Sequence, residues 1–281
     1  MKKMASIFIY ISLIFVGVYL LSCGPSSWKG YRVEKGEVVI YRGFPASRTI
    51  IYEADAKSFT AINDEFGKDK NHAFYLTGII PEADPATFMY LSGGYSKDKT
   101  HGYSRDQLIS RDGLNFKIVP DPNEIRPDIT MEGSPYAHDS KQVFKDVFVL
   151  EGADPATFTF VPMFNGQYLT YDRYRVYFQD KPMEGADGGT FRKVSDFNFA
   201  DKNAAWGLEM GQYTHWSIIE NVDLATFKGI DKNYAKDKNH VYYSAFIVKG
   251  ADVATFKETG YLLASDKNGI YSSGRPATAK K

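Results

Sequence analysis

Apolar and polar positions recur along this chain in a fixed order, with a basic period of 29 residues. One recurring phrase, Ala-Asp-x-x-Thr-Phe in strict or weakened form, ends on an aromatic residue four positions after its Asp. A second phrase, Asp-Lys-Asn, follows that Asp by 14 residues in five of the seven copies. Self-similarity at a fixed period predicts a repeat array. The seven phenylalanines of the first phrase are Phe59, Phe88, Phe116, Phe158, Phe191, Phe227 and Phe256.

The Asp-Lys-Asn phrase is typical of a β-hairpin loop. Asn tolerates the left-handed conformation that closes a three-residue loop, and it stands third in four copies. With that loop, the residue three before the Asp faces the residue five after it, as Tyr234 would face Tyr242. Cross-strand aromatic pairs contribute about 0.2 to 1 kcal/mol each. The aromatic residues at the later position are Phe74, Tyr103, Phe144, Tyr177, Trp206, Tyr242 and Tyr271.

The Ala-Asp-x-x-Thr-Phe phrase is predicted to connect one hairpin to the next. Asp84-Pro85 and Asp154-Pro155 are turn openers, because the Asp carboxylate accepts from backbone N–H groups two or three residues later. The Phe then starts a strand and faces inward. Seven equivalent Asp residues are not how an active site is built, so these carboxylates are interpreted as turn caps.

These units predict an all-β protein, an array of about seven hairpin repeats. A 29-residue unit has room for about three short strands, which favours an open solenoid-like array or a twisted meander. The alternative is a closed β-propeller, whose blades usually have four strands and about 40 residues. The array begins with a half-repeat, "YRVEKGEVVIYRG", which places Gly36 at the left-handed position of its loop.

The N-terminus has the features of a secretory signal. A short cationic start precedes the apolar run from Met4 to Leu21, and the segment that ends in Ser22-Cys23 resembles a bacterial lipobox. Cys23 is the only cysteine, and lipidation would remove a lone thiol that has no partner. The alternative is an uncleaved transmembrane helix. Gly24 in place of an Asp favours the outer membrane by the same resemblance, so a cell-envelope lipoprotein, held in the membrane by lipid on Cys23, is predicted.

The predicted organisation has four parts. Residues 1–22 are a lipoprotein signal peptide, and residues 23–49 are a linker with the half-repeat cap. Residues 50–273 form the repeat domain, and residues 274–281 are a polar, basic tail expected to be disordered. Basic and acidic residues number 34 each, so no net field attracts nucleic acid. An aromatic content of 15% agrees with a β-rich chain.

The repeated Asp-Lys-Asn-x-x-Tyr-Tyr phrase resembles the DKNYY family of bacterial proteins over roughly residues 50–272. The clearest copies are residues 55–75, 223–243 and 252–271. Residues 111–144 and 154–178 depart from the phrase. The function of this family is unknown, so the resemblance implies a repeat fold and an exported location and supplies no catalytic residues.

Three histidines occupy the same place in their repeats, three residues after the Asp: His72, His101 and His240. Stacked repeats would bring such residues together as a metal site. Because other repeats have unrelated residues there, a polar residue at the loop exit is the preferred interpretation, and neither a metal nor another cofactor is predicted.

Two segments break the period, residues 119–136 and 204–221. Insertions in repeat arrays form surface loops, which carry function more often than the scaffold does. Residues Trp206, Tyr213, His215 and Trp216 of the second segment are therefore candidate binding residues for a sugar ring or a partner's side chain. The alternative is that Trp206 is the core aromatic of its repeat and that Trp216 packs over it.

The sequence thus favours a non-enzymatic envelope scaffold that binds a protein or glycan partner. The alternative is an envelope polymer-acting enzyme that uses both inserted segments, with Asp121, Glu124 or Asp128 facing a histidine. Ser/His/Asp order, paired cysteines and a phosphate-binding Gly loop do not occur in the sequence.

Overall fold

The computed structural model describes residues 29–120, 134–161, 169–209 and 214–277. These residues form eight open antiparallel sheets, each a meander of neighbouring strands. They fall into two compact units, one ending at Leu114 and the other beginning at Asn115. Apart from a three-residue 3₁₀ turn, Gly188–Thr190, the described part contains no helix, so none that could span a membrane is found there.

The first unit contains three sheets. The first sheet has three strands: β1 Gly30–Glu34, β2 Glu37–Arg42 and β3 Ser47–Ile50. The second has β4 Thr60–Ala61, β5 Phe66–Lys68, β6 Ala73–Tyr75 and β7 Gly78–Ile79. The third has β8 Met89–Ser92, β9 Tyr95–Lys97, β10 Gly102–Ser104 and β11 Gln107–Ser110.

The second unit contains five four-stranded sheets. They are β12 Lys117–Ile118, β13 Tyr136–His138, β14 Val143–Lys145 and β15 Phe148–Val149; then β16 Thr159–Val161, β17 Leu169–Tyr171, β18 Val176–Phe178 and β19 Lys181–Pro182. The next two are β20 Arg192–Lys193, β21 Asn198–Ala200, β22 Ala205–Glu209 and β23 His215–Ile218, and β24 Lys228–Gly229, β25 Tyr234–Lys236, β26 Val241–Tyr243 and β27 Phe246–Ile247. The last comprises β28 Lys257–Gly260, β29 Leu263–Asp266, β30 Gly269–Ser272 and β31 Arg275–Pro276.

The all-β array of seven repeats is confirmed, but each repeat contains four strands and not three. In six of the seven repeats the fourth strand follows a tight turn whose first residue, seven after the loop Asp, has a left-handed backbone. Neither Gly nor Asn occupies this position, so no turn signal is visible there in the sequence. The left-handed residues are Leu76, Arg105, Asp146, Gln179, Ser244 and Ser273.

The predicted register of the inner hairpin is wrong by one residue. Asp237 N–H donates to the His240 carbonyl at 3.0 Å, which makes a four-residue loop. Tyr234 therefore pairs with Tyr243, and Ala235 pairs with Tyr242. The same register holds in all seven hairpins. The Asn of the phrase is not left-handed in any copy.

This register places the two recurring aromatic positions of a repeat, three before and five after the Asp, on opposite faces of its sheet. The aromatic five after the Asp packs on the Phe of its own repeat, as Phe227 and Tyr242 do with ring centroids 5.6 Å apart. The aromatic three before the Asp packs on the Phe of the next repeat, as Tyr234 and Phe256 do at 5.2 Å. Each Phe directly precedes its strand and faces inward as predicted, with Phe59 half-buried and the others buried. Aromatic contacts thus join consecutive sheets within each unit.

The first sheet has the left-handed glycine that the sequence predicted. Glu34 pairs with Glu37, so Lys35 and Gly36 alone form the loop, and Gly36 is left-handed at φ +82°. The third strand, β3, completes this sheet. Tyr31 then packs on Phe59 of the first full repeat at 5.2 Å.

Candidate functional site

In six repeats the residues of the two recurring phrases meet in one polar cluster, here called the joint. In the repeat that contains Asp237, Oδ1 of this carboxylate accepts from the N–H groups of Asn239 and His240, both at 2.7 Å. Its Oδ2 accepts from Asp223 N–H and from the Tyr242 hydroxyl, both at 2.8 Å. One buried carboxylate therefore closes the hairpin loop and fixes the preceding turn to it.

The other phrase residues complete the joint. Lys238 Nζ lies 2.6 Å from Asp223 Oδ2. Thr226 Oγ1 donates to Asp223 Oδ1 at 2.7 Å and accepts from Lys238 N–H at 3.0 Å. The bond from the first Asp N–H to the second Asp carboxylate recurs in the pairs Asp55 with Asp69, Asp84 with Asp98, Asp154 with Asp172, Asp187 with Asp201, and Asp252 with Asp266.

The carboxylates of the joint are held as anions. Burial raises the pKa of Asp98, but N–H donors from Asp84, Thr100 and His101 outweigh it and set the pKa to about 2. The Lys267 ammonium and the Thr255 hydroxyl lower the pKa of Asp252 to about 2. A carboxylate with its acceptor positions engaged by local donors is a turn cap, as predicted.

The histidines that follow the loop make separate local contacts. His101 Nδ1 lies 3.7 Å from Asp98 Oδ2, and its Nε2 lies 4.0 Å from Glu82 Oε2. His72 packs edge-on to Phe74 at 6.0 Å, and His240 packs in the same way on Tyr242 at 6.1 Å. Among the described residues, no three His, Cys, Asp or Glu side chains lie close enough to hold a metal ion.

The second inserted segment forms the hairpin of β22 and β23, and this hairpin borders a groove of about 360 Å³. We call it the tryptophan groove. Strand β19 and its flanking turns supply the opposite side. The lining residues are Phe178, Gln179, Lys181, Pro182, Met183, Glu184, Trp206, His215, Trp216 and Ile218.

Three of the four candidate binding residues lie at this groove. Trp206 is 3% exposed and packs on Phe191 at 6.0 Å, so it is the core aromatic of its repeat. Trp216 is half-buried, and its ring meets Phe199 edge-on at 4.9 Å. His215 is exposed, with Nε2 3.7 Å from Glu209 Oε1. Tyr213 lies outside the described residues.

The indole N–H group of Trp216 is buried and lacks a hydrogen-bond acceptor among the described residues. An unsatisfied buried donor costs about 1 to 3 kcal/mol. The groove thus combines a mostly apolar lining with a few polar groups, a composition typical of ligand-binding pockets.

A larger groove, of about 650 Å³, was not predicted. It is bordered by Leu208, Tyr243, Phe246, Ile247 and Arg275. Phe246 is 60% exposed on the fourth strand of its sheet. Because the sequence did not reveal the fourth strands, it did not reveal their edges; the apolar pair directly after Tyr242-Tyr243-Ser244-Ala245 was the available signal.

Two other predicted features lie outside the described residues. Asp121, Glu124 and Asp128 fall within residues 121–133, so the convergence of the two inserted segments stays a prediction. Cys23 and the residues before it also lie outside.

A family model described as the DKNYY family matches the chain twice, over residues 31–163 and 136–275. No curated protein and no solved structure matches the chain.

Proposed function

Since the chain belongs to the DKNYY family, a repeat family, we propose that it is a lipid-anchored, non-enzymatic scaffold of the bacterial cell envelope that binds a partner at the tryptophan groove. The observation that carries the proposal is that the residues of the repeated phrases stabilise the fold, whereas an inserted segment borders the groove. Repeated phrase residues such as Asp237 hold the joints, whereas one side of the groove is formed by the hairpin of residues 204–221, which is inserted into the repeat.

The anchor part of the proposal is supported by the N-terminal sequence. The apolar run from Met4 to Leu21 leads to Ser22 and to Cys23, the single cysteine. A thioether-linked lipid on Cys23 would hold the repeats at a membrane. Because Gly24, and not an Asp, follows Cys23, we propose the outer membrane.

Lipidation is tested with Cys23→Ala in cells fed radiolabelled palmitate. We expect the wild-type protein to be labelled and pelleted with membranes, and the variant to be unlabelled. A variant that still carries label, or an unlabelled wild-type protein, would contradict the lipid anchor.

The binding part is supported by the composition of the groove. Apolar side chains make up most of its lining, and the polar side chains of Lys181, Glu184 and His215 lie among them. Well-packed aromatic and aliphatic residues within a polar rim are the usual composition of a protein-binding patch.

The binding test is a crosslinking pull-down from cell envelopes, comparing wild type with Ile218→Lys. Ile218 is 56% exposed at the groove, so a lysine there blocks binding while the fold is retained. Phe148→Lys is the matched control, because Phe148 is 73% exposed on β15 of another sheet. We expect Ile218→Lys alone to lose crosslinked partners. Equal recovery from all three proteins would exclude the tryptophan groove as the binding site.

A further inference from the structure

Strand β23 is the outer edge of its sheet, whose order is β20-β21-β22-β23. It has four residues, His215–Ile218, whereas the fourth strands of the other sheets in this unit have two. The inserted segment thus lengthens an edge strand that the repeat otherwise keeps short. Very short edge strands are one means by which proteins prevent the pairing of further strands.

The register of β22 with β23 shows which backbone groups point outward. Ile219 N–H donates to the Ala205 carbonyl at 2.8 Å, and Trp206 pairs with Ile218. Because hydrogen-bonded and non-hydrogen-bonded pairs alternate in an antiparallel ladder, Trp216 and Ile218 turn their N–H and C=O groups away from β22. These groups have no hydrogen-bond partner among the described residues.

On two other fourth strands, the residue at the equivalent outward position is a proline. In β19 it is Pro182, which pairs with Tyr177, and in β31 it is Pro276, which pairs with Tyr271. Proline has no N–H group, so these edges offer no donor to an added strand. Ile218 occupies that position in β23 and keeps its donor.

The side chains beside this edge lie on the groove side of the sheet. Trp216 and Ile218 are two residues apart on one strand, so they share a face, and both line the tryptophan groove. A strand added at β23 would place every second side chain over the groove. The groove therefore offers an apolar site next to two unpaired backbone positions about 7 Å apart.

We propose that β23 binds an extended polypeptide segment of a partner protein as a fifth strand, with alternate apolar side chains of that segment in the tryptophan groove. This inference rests on the proposed function and names the chemical class of the partner. A glycan would need an open aromatic face for stacking, but Trp206 is 3% exposed and the Trp216 ring is packed on Phe199. Outward N–H and C=O groups at alternate residues match the backbone of another strand.

The probe is a phage library of random 12-residue peptides, selected on the full-length protein in detergent micelles, with bare micelles as background. We expect enriched peptides to alternate apolar and polar residues. A synthetic copy of the most enriched peptide is then titrated against wild type, Ile218→Pro, Ile218→Val and Ile247→Pro. Ile218→Pro removes one outward donor at a position where β19 and β31 already have proline.

We expect Ile218→Pro to weaken peptide binding at least about ten-fold, which is about 1.4 kcal/mol, while Ile218→Val binds as wild type does. Ile247→Pro makes the equivalent change on β27, and it should also leave binding unchanged. Hydrogen exchange of wild type with bound peptide should show protection of the Trp216 and Ile218 amides, which does not depend on the folding of any variant.

Three outcomes would overturn strand addition: no peptide enriched above bare micelles, equal affinity of wild type and a folded Ile218→Pro, or no protection of the two amides. If Ile218→Lys loses its envelope partner but Ile218→Pro retains it, the groove binds by side chains alone and only the proposed function survives. If Ile218→Lys retains the partner, the proposed function itself fails.

Discussion

The joint can be tested by replacing the Asp237 carboxylate with an amide, in Asp237→Asn. Asp237 is 2% exposed and accepts four hydrogen bonds, two at each oxygen. The new side chain retains one oxygen, which can still accept from the two loop N–H groups. Its NH₂ group replaces the oxygen that faces Asp223 N–H and the Tyr242 hydroxyl, so a donor then faces a donor.

The expected loss of stability follows from these contacts. The Tyr242 hydroxyl can rotate to accept from the new NH₂ group, but Asp223 N–H has no such freedom and stays unsatisfied. A buried unsatisfied donor costs about 1 to 3 kcal/mol, and the remaining bonds lose their charge assistance. We therefore expect the free energy of unfolding to fall by about 2 to 4 kcal/mol.

The assay is urea unfolding followed by tryptophan fluorescence, because Trp206 and Trp216 lie in the same compact unit as Asp237. With a urea dependence of about 2 kcal/mol per M, the midpoint should fall by about 1 to 2 M. Asp231→Asn is the matched control, since it makes the same chemical change at an exposed residue in the same repeat. Its midpoint should change little.

The pH dependence gives a second criterion. Burial raises the pKa of Asp237, but N–H donors from Asp223, His240 and Asn239 outweigh it, so the pKa is lowered. The stabilisation by this carboxylate is therefore present above its unfolded pKa, about 3.9, and is lost as the pH falls through the folded value. The difference between wild type and Asp237→Asn should shrink at low pH. Equal midpoints of Asp237→Asn and Asp231→Asn at pH 7 would refute the structural role of the joint.

Three further predictions concern the same fold. Lys238→Met should leave the midpoint of the same urea assay nearly unchanged, because the ion pair to Asp223 is 60% exposed at the lysine and screened by solvent. Between pH 4 and pH 2 the free energy of unfolding of wild type should fall by up to about 2 kcal/mol more than that of Asp98→Asn, since the pKa of Asp98 is lowered to about 2. Melting curves across that pH range measure the difference. Gly207→Ala should lower the free energy of unfolding by well over about 2 kcal/mol or prevent folding, because the new Cβ would lie 2.1 Å from the backbone N of Ala245. Gly78→Ala is the control and should be tolerated, because its new Cβ would lie 3.8 Å from the nearest atom. Thermal unfolding of both variants measures the difference.

The repeat, the hairpin and the inward Phe were predictable because the residues that make them recur at fixed spacing. The register was not, because Asn is compatible with a three-residue loop, whereas the Asp237 N–H bond to His240 closes a loop of four residues. The fourth strand was missed because its turn starts on residues as different as Leu76 and Arg105. No single residue type encodes that turn.

The candidate site was predictable in its location but not in its form. The break in the period drew attention to Trp206, His215 and Trp216, and the structure places all three at the tryptophan groove. The sequence offered two interpretations of these residues, and the structure agrees with the one in which Trp206 is the buried core aromatic of its repeat and Trp216, half-buried, packs beside it. The open edge of β23 depends on hydrogen-bond alternation, which requires the register.

The short span of each joint has a consequence for how such a chain can change its length. The bond from Asp223 to Asp237 crosses only 14 residues, so a tandem duplication of one 29-residue segment copies the complete set of polar partners with it. Contacts of short sequence separation also form early, because little chain entropy is lost in closing them. Gain or loss of whole repeats during evolution would thus alter the number of sheets without requiring any new polar pairing.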